Sequence, residues 1–521
     1  MGGTELKRLG KSWAWAAFAA VPMFVAAGCE PVGGVDVNKA LLSSYEVDSR
    51  EGTMSLAWNL EVDAAATDQE SLELLELFGS GRLNVTEYKQ ADVHRASMEG
   101  VLELSKGKLP FAAYTTKDKV VIDVEGAKEP FEIDLGSAYG LDDAGAVFGG
   151  FDPSEAITEE VAKEINKAVA TFFVGNVPNP EDTSIDRVTE TIDGKQKSLR
   201  NISFTTRGDE FDELIVKYVE NLSADEEGLK SLLGTLYDAL KPAIEPMLEE
   251  NPNPVLDFAF DNKEVAVEFL YEQIAPLLDD LAAQLSEDIG GELSQENGES
   301  IFSEDSGLTI ELLLDGATLV GDNVELRLAP AEGEDSDGLE SVEIRAESRY
   351  WNIGGDVEAE TYDGETAALD FEAKPRDRLD NIEEGSLLYD ILRNDLHVTR
   401  HSFDMYMGTN GGVPDGYSPY IKGAGTTMVP VRYVSEQLDA AVSWDGAAQT
   451  ITIADAEAGT TIVLRIGSRT ATVDGVAETL PEAPEIIYDT TYVPIAFITK
   501  ALGGEASWDG ELGIVTITKE F

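Results

Sequence analysis

Between Thr53 and Asp63 the apolar residues Met54, Leu56, Trp58, Leu60 and Val62 fall on every second position. A period of two with one wet face predicts a half-buried strand of an antiparallel sheet. Leu83–Tyr88, Ala91–Leu104, Phe111–Thr116, Lys119–Val124 and Phe131–Leu135 come next, separated by Gly, Asp and Lys turns, and read as a meander. The period then lengthens. Glu155–Phe173 carries Ile157, Val161, Ile165, Val169 and Phe172 on one helical face, and Gly228–Leu240 and Lys263–Leu285 carry leucine-rich stripes wide enough to cover a sheet. Pro242 and Pro246 are expected to interrupt the segment just beyond Leu240. Strands return at Leu308–Leu314, Ala317–Leu328, Leu339–Tyr350 and Thr366–Ala373. Strands, then helices, then strands define an α+β region over residues 29–395: a curved antiparallel sheet with packed helices, in one piece or two subdomains. Acidic or Gly/Ser-rich joints fall at Glu287–Gly307, Glu332–Gly338 and Lys374–Glu384, the first and last read as linkers or exposed loops.

From residue 396 to the end the chain repeats itself. Met428–Gly446 returns as Tyr492–Gly510 at a constant offset of 64 residues, so a duplicated supersecondary unit is expected. Each copy ends a short apolar segment in Val429-Pro430 or Val493-Pro494, continues as an amphipathic helix, and enters a strand containing Trp444 or Trp508. Asp445-Gly446 and Asp509-Gly510 read as hairpin turns in which glycine supplies a positive φ. Both tryptophans are expected to anchor sheet to helix as buried aromatics, with a sugar- or peptide-stacking face as the alternative. The Val-Pro helix with Arg432, Glu436 and Leu438, followed by Trp-Asp, resembles the copper amine oxidase N-terminal-like (stalk) domain; Ser402–Thr427 looks like its opening hairpin. The second copy departs from the pattern at Ala496 and Lys500, and the first has Asp439 where the pattern has Gly. The resemblance implies a small antiparallel sheet packed on helices in an extracytoplasmic bacterial protein; it does not imply oxidase activity, since in the amine oxidases this domain is separate from the copper site and the quinone cofactor, and no cofactor is expected here.

The other end of the chain reads as an address. Lys7, Arg8 and Lys11 precede an apolar stretch from Ser12 to Ala27, and Ala26-Ala27-Gly28-Cys29 closes it. Residues 1–28 therefore read as a secretory signal, and its end resembles a bacterial lipobox that would lipidate Cys29, the only cysteine. Two acyl chains there would hold the protein on the extracytoplasmic face of the cell membrane. In element order and address, the 29–395 region resembles lipoproteins of the LolA and LppX type, which implies a concave sheet able to house an apolar ligand.

Charge narrows the partners. Against 38 Lys+Arg stand 100 Asp+Glu, a net charge of −62, which excludes a nucleic-acid surface and argues against adsorption to anionic lipid. The membrane is reached through Cys29, and a cell-wall or surface-protein partner is expected through 396–521. Chemistry is sparse. His397 and His401, near Met405 and Met407, are the candidates for a metal, on one face of a strand if extended. Asp335-Ser336-Asp337-Gly338 fails as a calcium loop because Ile344 stands where the bidentate Glu belongs. No nucleophile, phosphate loop or cofactor signature is present. The reading is a non-enzymatic envelope lipoprotein with a C-terminal interaction domain; the alternatives are a carrier or sensor of an apolar ligand and a hydrolase acting on wall polymers.

Overall fold

The computed structural model describes residues 37–67, 69–135, 159–178, 182–250, 262–295, 302–331, 338–369, 373–407, 418–423, 425–510 and 512–521. The chain divides into two compact units, residues 1–369 with 383–388, and residues 370–382 with 389–521.

Unit 1 is a mixed α+β unit built on one curved sheet. Its elements are α1 (Val37–Tyr45), β1 (Arg50–Val62), α2 (Gln69–Phe78), β2 (Ser80–Gln90), β3 (Ala96–Leu104), β4 (Gly107–Thr115), β5 (Lys119–Val124), β6 (Phe131–Asp134), α3 (Glu159–Gly175), β7 (Asp182–Ile192), β8 (Lys195–Arg207), α4 (Gly208–Ala224), α5 (Glu226–Glu250), α6 (Lys263–Gln295), β9 (Gly307–Asp315), β10 (Thr318–Leu328), β11 (Leu339–Trp351) and β12 (Ala367–Ala368). The twelve strands run β12-β6-β5-β4-β3-β2-β1-β11-β10-β9-β8-β7, and only the β12–β6 pair is parallel. The predicted meander is the run β1 to β6.

Paired residues of neighbouring strands point to the same face, so the register defines one apolar row across eight strands: Phe204, Ile310, Val324, Ala346, Leu56, Leu83, Leu102 and Leu109. Its β8–β10 end is covered. Val37, Ala40 and Leu41 of α1 and Phe211 of α4 pack with Phe204, Ile310 and Val324 in one buried cluster, each of the larger side chains contributing roughly 1.5–3 kcal/mol. Helices α3, α4, α5 and α6 then bury a second cluster around Phe172, Leu222, Leu229 and Leu233. The β1–β3 stretch of the row is more open: Leu83 and Leu102 are half-buried, and Leu56 is 36% exposed.

Several expectations need correction. Helix α5 runs through Pro242 and Pro246 to Glu250; a proline deletes one intrahelical bond, and the helix continues on either side of the loss. Glu287–Gly307 begins inside α6 rather than as a linker. Among its described residues, Thr366–Ala373 contains a strand of two residues. The hairpin β7–β8 and helix α4 lie outside the predicted elements; β7 is an edge strand whose mostly exposed residues give no apolar alternation.

Unit 2 contains β13 (Arg400–Tyr406), β14 (Tyr420–Lys422), β15 (Thr426–Pro430), α7 (Val431–Gln437), β16 (Ala441–Asp445), β17 (Thr450–Asp455), β18 (Thr460–Arg465), β19 (Thr470–Val473), β20 (Val476–Thr479), β21 (Glu485–Ile487), β22 (Thr490–Pro494), α8 (Ile495–Ala501), β23 (Gly504–Asp509) and β24 (Ile514–Glu520). Three sheets form, ordered β14-β15-β22-β21, β16-β17-β18-β19-β20 and β13-β24-β23. They share a core in which Val429, Val434, Leu438, Ile453, Val493, Ile498 and Ile517 are buried together. The expected opening hairpin is not made by β13, which pairs with the last strand, β24; β14 pairs with β15 instead. Nor is Lys374–Glu384 a solvated linker: Leu379 and Ile382 are buried, and its basic residues Lys374 and Arg376 are paired with carboxylates of unit 2.

Candidate functional site

The two copies in unit 2 run through the same elements, β15-α7-β16-β17 and β22-α8-β23-β24. Val429 pairs with Val493, Met428 with Pro494, and Pro430 with Tyr492. Each of these pairs maps onto itself or another when the copies are exchanged, so a local pseudo-two-fold axis passes between Val429 and Val493. Two further contacts join copy-equivalent residues across that axis. Asp455 Oδ2 accepts a hydrogen bond from Lys519 Nζ at 2.9 Å, and these residues are 64 apart. Tyr420 and Glu485 occupy matching places in β14 and β21, and the Tyr420 hydroxyl donates to the Glu485 carboxylate. Burial works against ionisation of Glu485, but that hydroxyl and Lys422 hold it below the usual carboxylate range.

Pro430 and Pro494 each stand last in a strand and cap the helix that comes after, with φ −61° at both, the value that the ring fixes. Arg432 ties α7 to the neighbouring strand: its Nη1 donates to Val442 O at 3.1 Å and to Glu436 Oε1 at 3.2 Å. The second copy has Ala496 and Lys500 at these places.

The tryptophans do not behave as buried anchors. Trp444 is 44% and Trp508 47% exposed. Each lies on an edge strand, β16 or β23, beside the turn; its backbone partner, Ile451 or Val515, is buried. With no further strand beyond the edge, nearly half of each indole is left to solvent. The turn chemistry also differs from expectation. Asp445 Oδ1 accepts from the N–H groups of Ala447 and Ala448, and Asp509 Oδ1 from that of Leu512. The left-handed residue is Gln449 in one copy and Gly513 in the other, not Gly446 or Gly510. Those two glycines serve the indoles instead: a Cβ there would meet Trp444 Nε1 at 3.4 Å or Trp508 Nε1 at 3.3 Å.

The histidine pair is not assembled. His397 has φ +46° before β13 begins, whereas His401, on β13, has Nε2 3.2 Å from Gln437 Oε1. Among the described residues no group of three or more His, Cys, Asp or Glu could hold a metal, and no helix is long and apolar enough to cross a membrane. Cys29 and the signal lie outside the described residues, as do Asp335 and Asp337. In unit 1, two cavities that share Tyr350, Thr318 and Ile353 in their lining have volumes of about 20 and 170 Å³, below the roughly 300 Å³ at which ligand pockets begin.

Sequence reading missed a heavily paired site among the described residues. Arg376, on the 3₁₀ turn Pro375–Asp377, is 13% exposed at its side chain. Nε is 2.7 Å from Asp439 Oδ2, a charge contact without hydrogen-bond alignment. Nη1 is 2.6 Å from Glu457 Oε2 and Nη2 3.7 Å from Asp455 Oδ1. The Phe521 ring lies 5.0 Å below the guanidinium carbon and 4.5 Å from Lys519 Nζ. Burial alone would lower the pKa of Arg376; the Glu457 hydrogen bond and the surrounding carboxylates raise it instead. The signal was available: an offset of 64 sets Asp455 against Lys519 and Glu457 against Phe521, opposite chemistry at matching places.

A duplicated, pseudo-symmetric β/α module with an ion-paired axis end and two half-open indoles is thus the class of structure in unit 2. Residues 413–517 match the copper amine oxidase N-terminal domain family. That match spans about a fifth of the chain and is to the N-terminal, non-catalytic domain of those enzymes. No curated protein matches the chain.

Proposed function

We propose that this protein is a non-enzymatic cell-envelope lipoprotein, tethered through Cys29, that presents its C-terminal unit as an interaction module. One observation carries the reading: Trp444 and Trp508 stand at copy-equivalent positions, each nearly half exposed. A buried indole would be core; two repeated, open ones offer paired flat apolar faces, each with a polar N–H, to a partner with a repeating surface such as a wall polymer. Cosedimentation of the full chain with isolated bacterial envelopes tests this. Trp444→Ala and Trp508→Ala should each weaken retention several-fold and together abolish it, with melting temperatures within a few degrees of the parent. Undiminished retention by the folded double variant would refute it. In cells, Cys29→Ala should move the protein from the membrane to the soluble fraction.

A second reading rests on the half-open apolar row at Leu56, Leu83 and Leu102. A carrier of an acyl-chain amphiphile would lay its ligand along that row, and lipid recovered by mass spectrometry from protein purified from its producing cell would support it. Lipid-free protein whose stability does not change on adding amphiphile would count against it.

A further inference from the structure

The ion-paired end of the pseudo-two-fold axis is a selective arrangement. All three nitrogens of the Arg376 guanidinium face a different carboxylate, from Asp439, Glu457 and Asp455. Its central carbon lies 5.0 Å from the centroid of the Phe521 ring. A guanidinium, with three nitrogens fixed in one plane, can reach three separate carboxylates at once; an ammonium, a point charge, would reach only part of them.

Charge leads to the same conclusion. Three carboxylates converge here, and Lys519 answers only Asp455 within hydrogen-bond distance. Lys374 reaches Asp439 from the surface at 2.9 Å. Without Arg376, Asp439 would keep Lys374 and Asp455 would keep Lys519, each at 2.9 Å, so what the guanidinium adds is a spread charge that reaches all three carboxylates at once. Asp439 is further committed: it adopts φ +63°, where the second copy has Gly503 at φ +78°. A non-glycine residue in that region costs about 1 kcal/mol, and here its carboxylate contacts Arg376. The acids come from the first copy, while Lys519 and Phe521 come from the second, so the site exists only where the copies meet.

The geometry points to a guanidinium-recognition site at this axis end, filled in cis by Arg376 on the strap 373–382 and able to take the arginine of a second polypeptide when the strap is out. The partner it fits is a peptide with an accessible arginine flanked by a further basic residue, as Lys374 flanks Arg376.

Two measurements on the full-length chain test it. First, Arg376→Ala should melt several degrees below the parent, and millimolar ethylguanidinium should recover part of that loss, while methylammonium should not. The recovery should vanish in Arg376→Ala/Asp439→Asn. Equal recovery by both cations, or none, would overturn the proposal. Second, a fluorescent peptide of sequence 373–382 should bind Arg376→Ala at least tenfold more tightly than the parent chain. The same peptide with lysine in place of its arginine should lose at least tenfold in affinity for the variant. Binding that ignores either change would also overturn it. Should Arg376→Ala fail to fold, Arg376→Lys decides: a melting temperature equal to the parent's would mean that the site reads charge alone, whereas a lower one restored toward the parent by ethylguanidinium supports guanidinium recognition.

Discussion

Replacing one partner of the Asp455–Lys519 pair should cost more on one side than on the other. Asp455 is 1% and Lys519 7% exposed, so neither charge has water to fall back on. Asp455→Asn keeps an oxygen able to accept from Glu457 N and Ala458 N, which now reach Oδ1 at 3.2 and 3.0 Å. It leaves the Lys519 ammonium with Leu438 O at 3.1 Å and the Phe521 ring. Stranding a buried charge in this way costs about 3–5 kcal/mol. Lys519→Met leaves a carboxylate still compensated by two backbone N–H groups and by Arg376, so its cost should be nearer 1–3 kcal/mol. The double variant buries no lysine charge and should cost less than the sum of the singles by at least about 1 kcal/mol. Urea unfolding of the full chain, tracking the transition of unit 2, gives all four corners of the cycle. The pH dependence has a definite sign. Burial opposes the Asp455 charge, but the Ala458 N–H, Lys519 and Arg376 hold its pKa below the ordinary value. The contribution is therefore full above about pH 4 and is lost as pH falls through the depressed folded pKa. The gap between parent and Asp455→Asn should close in that acid window. Equal single losses, strict additivity, or a gap that persists in acid would refute the reasoning.

Three other perturbations have expected outcomes. Asp322 in unit 1 is pushed up to about 6 by burial, with Ser348, Arg349 and Arg50 opposing; its folded state prefers the proton, so its penalty is present above pH 6 and relieved as pH falls toward 4. Asp322→Asn should therefore raise the urea midpoint of unit 1 relative to the parent at pH 8 and remove an advantage that the parent gains on acidification, worth up to about 3 kcal/mol. Asp439→Gly relieves about 1 kcal/mol of backbone cost but gives up contacts to Lys374 and Arg376, so thermal melting should show a net loss of about 1 kcal/mol rather than a gain. Gly446→Ala and Gly510→Ala should each tilt an indole outward, seen as a red shift of tryptophan emission, with stability changed by less than about 1 kcal/mol.

The share of the fold that was legible in the sequence depends on which signals are local. The β1–β6 meander and strands β9–β11 were readable because Met54, Leu56 and Trp58, or Leu308, Ile310 and Leu312, alternate within a single strand. The order in which β1 meets β11 was not, since nothing near Leu56 encodes Ala346. Edge strand β7 carried no apolar period to find. In unit 2 the repeat located both Val-Pro helices and both Trp strands, but burial of Trp444 and Trp508 depends on what lies beyond the edge strand, and that is a matter of topology. Arg376 was hidden by its context: a charged stretch next to a proline looks solvated until its partners, 63 to 145 residues away in sequence, are placed around it.

The axis between Val429 and Val493 also bears on descent. In a dimer of identical chains, two positions facing each other across a dyad are one codon, and a change in one is a change in both. An acid facing a lysine there is impossible, because each position faces its own copy. When both halves lie in a single chain, the facing positions are separate codons and can differ, as Asp455 and Lys519 do.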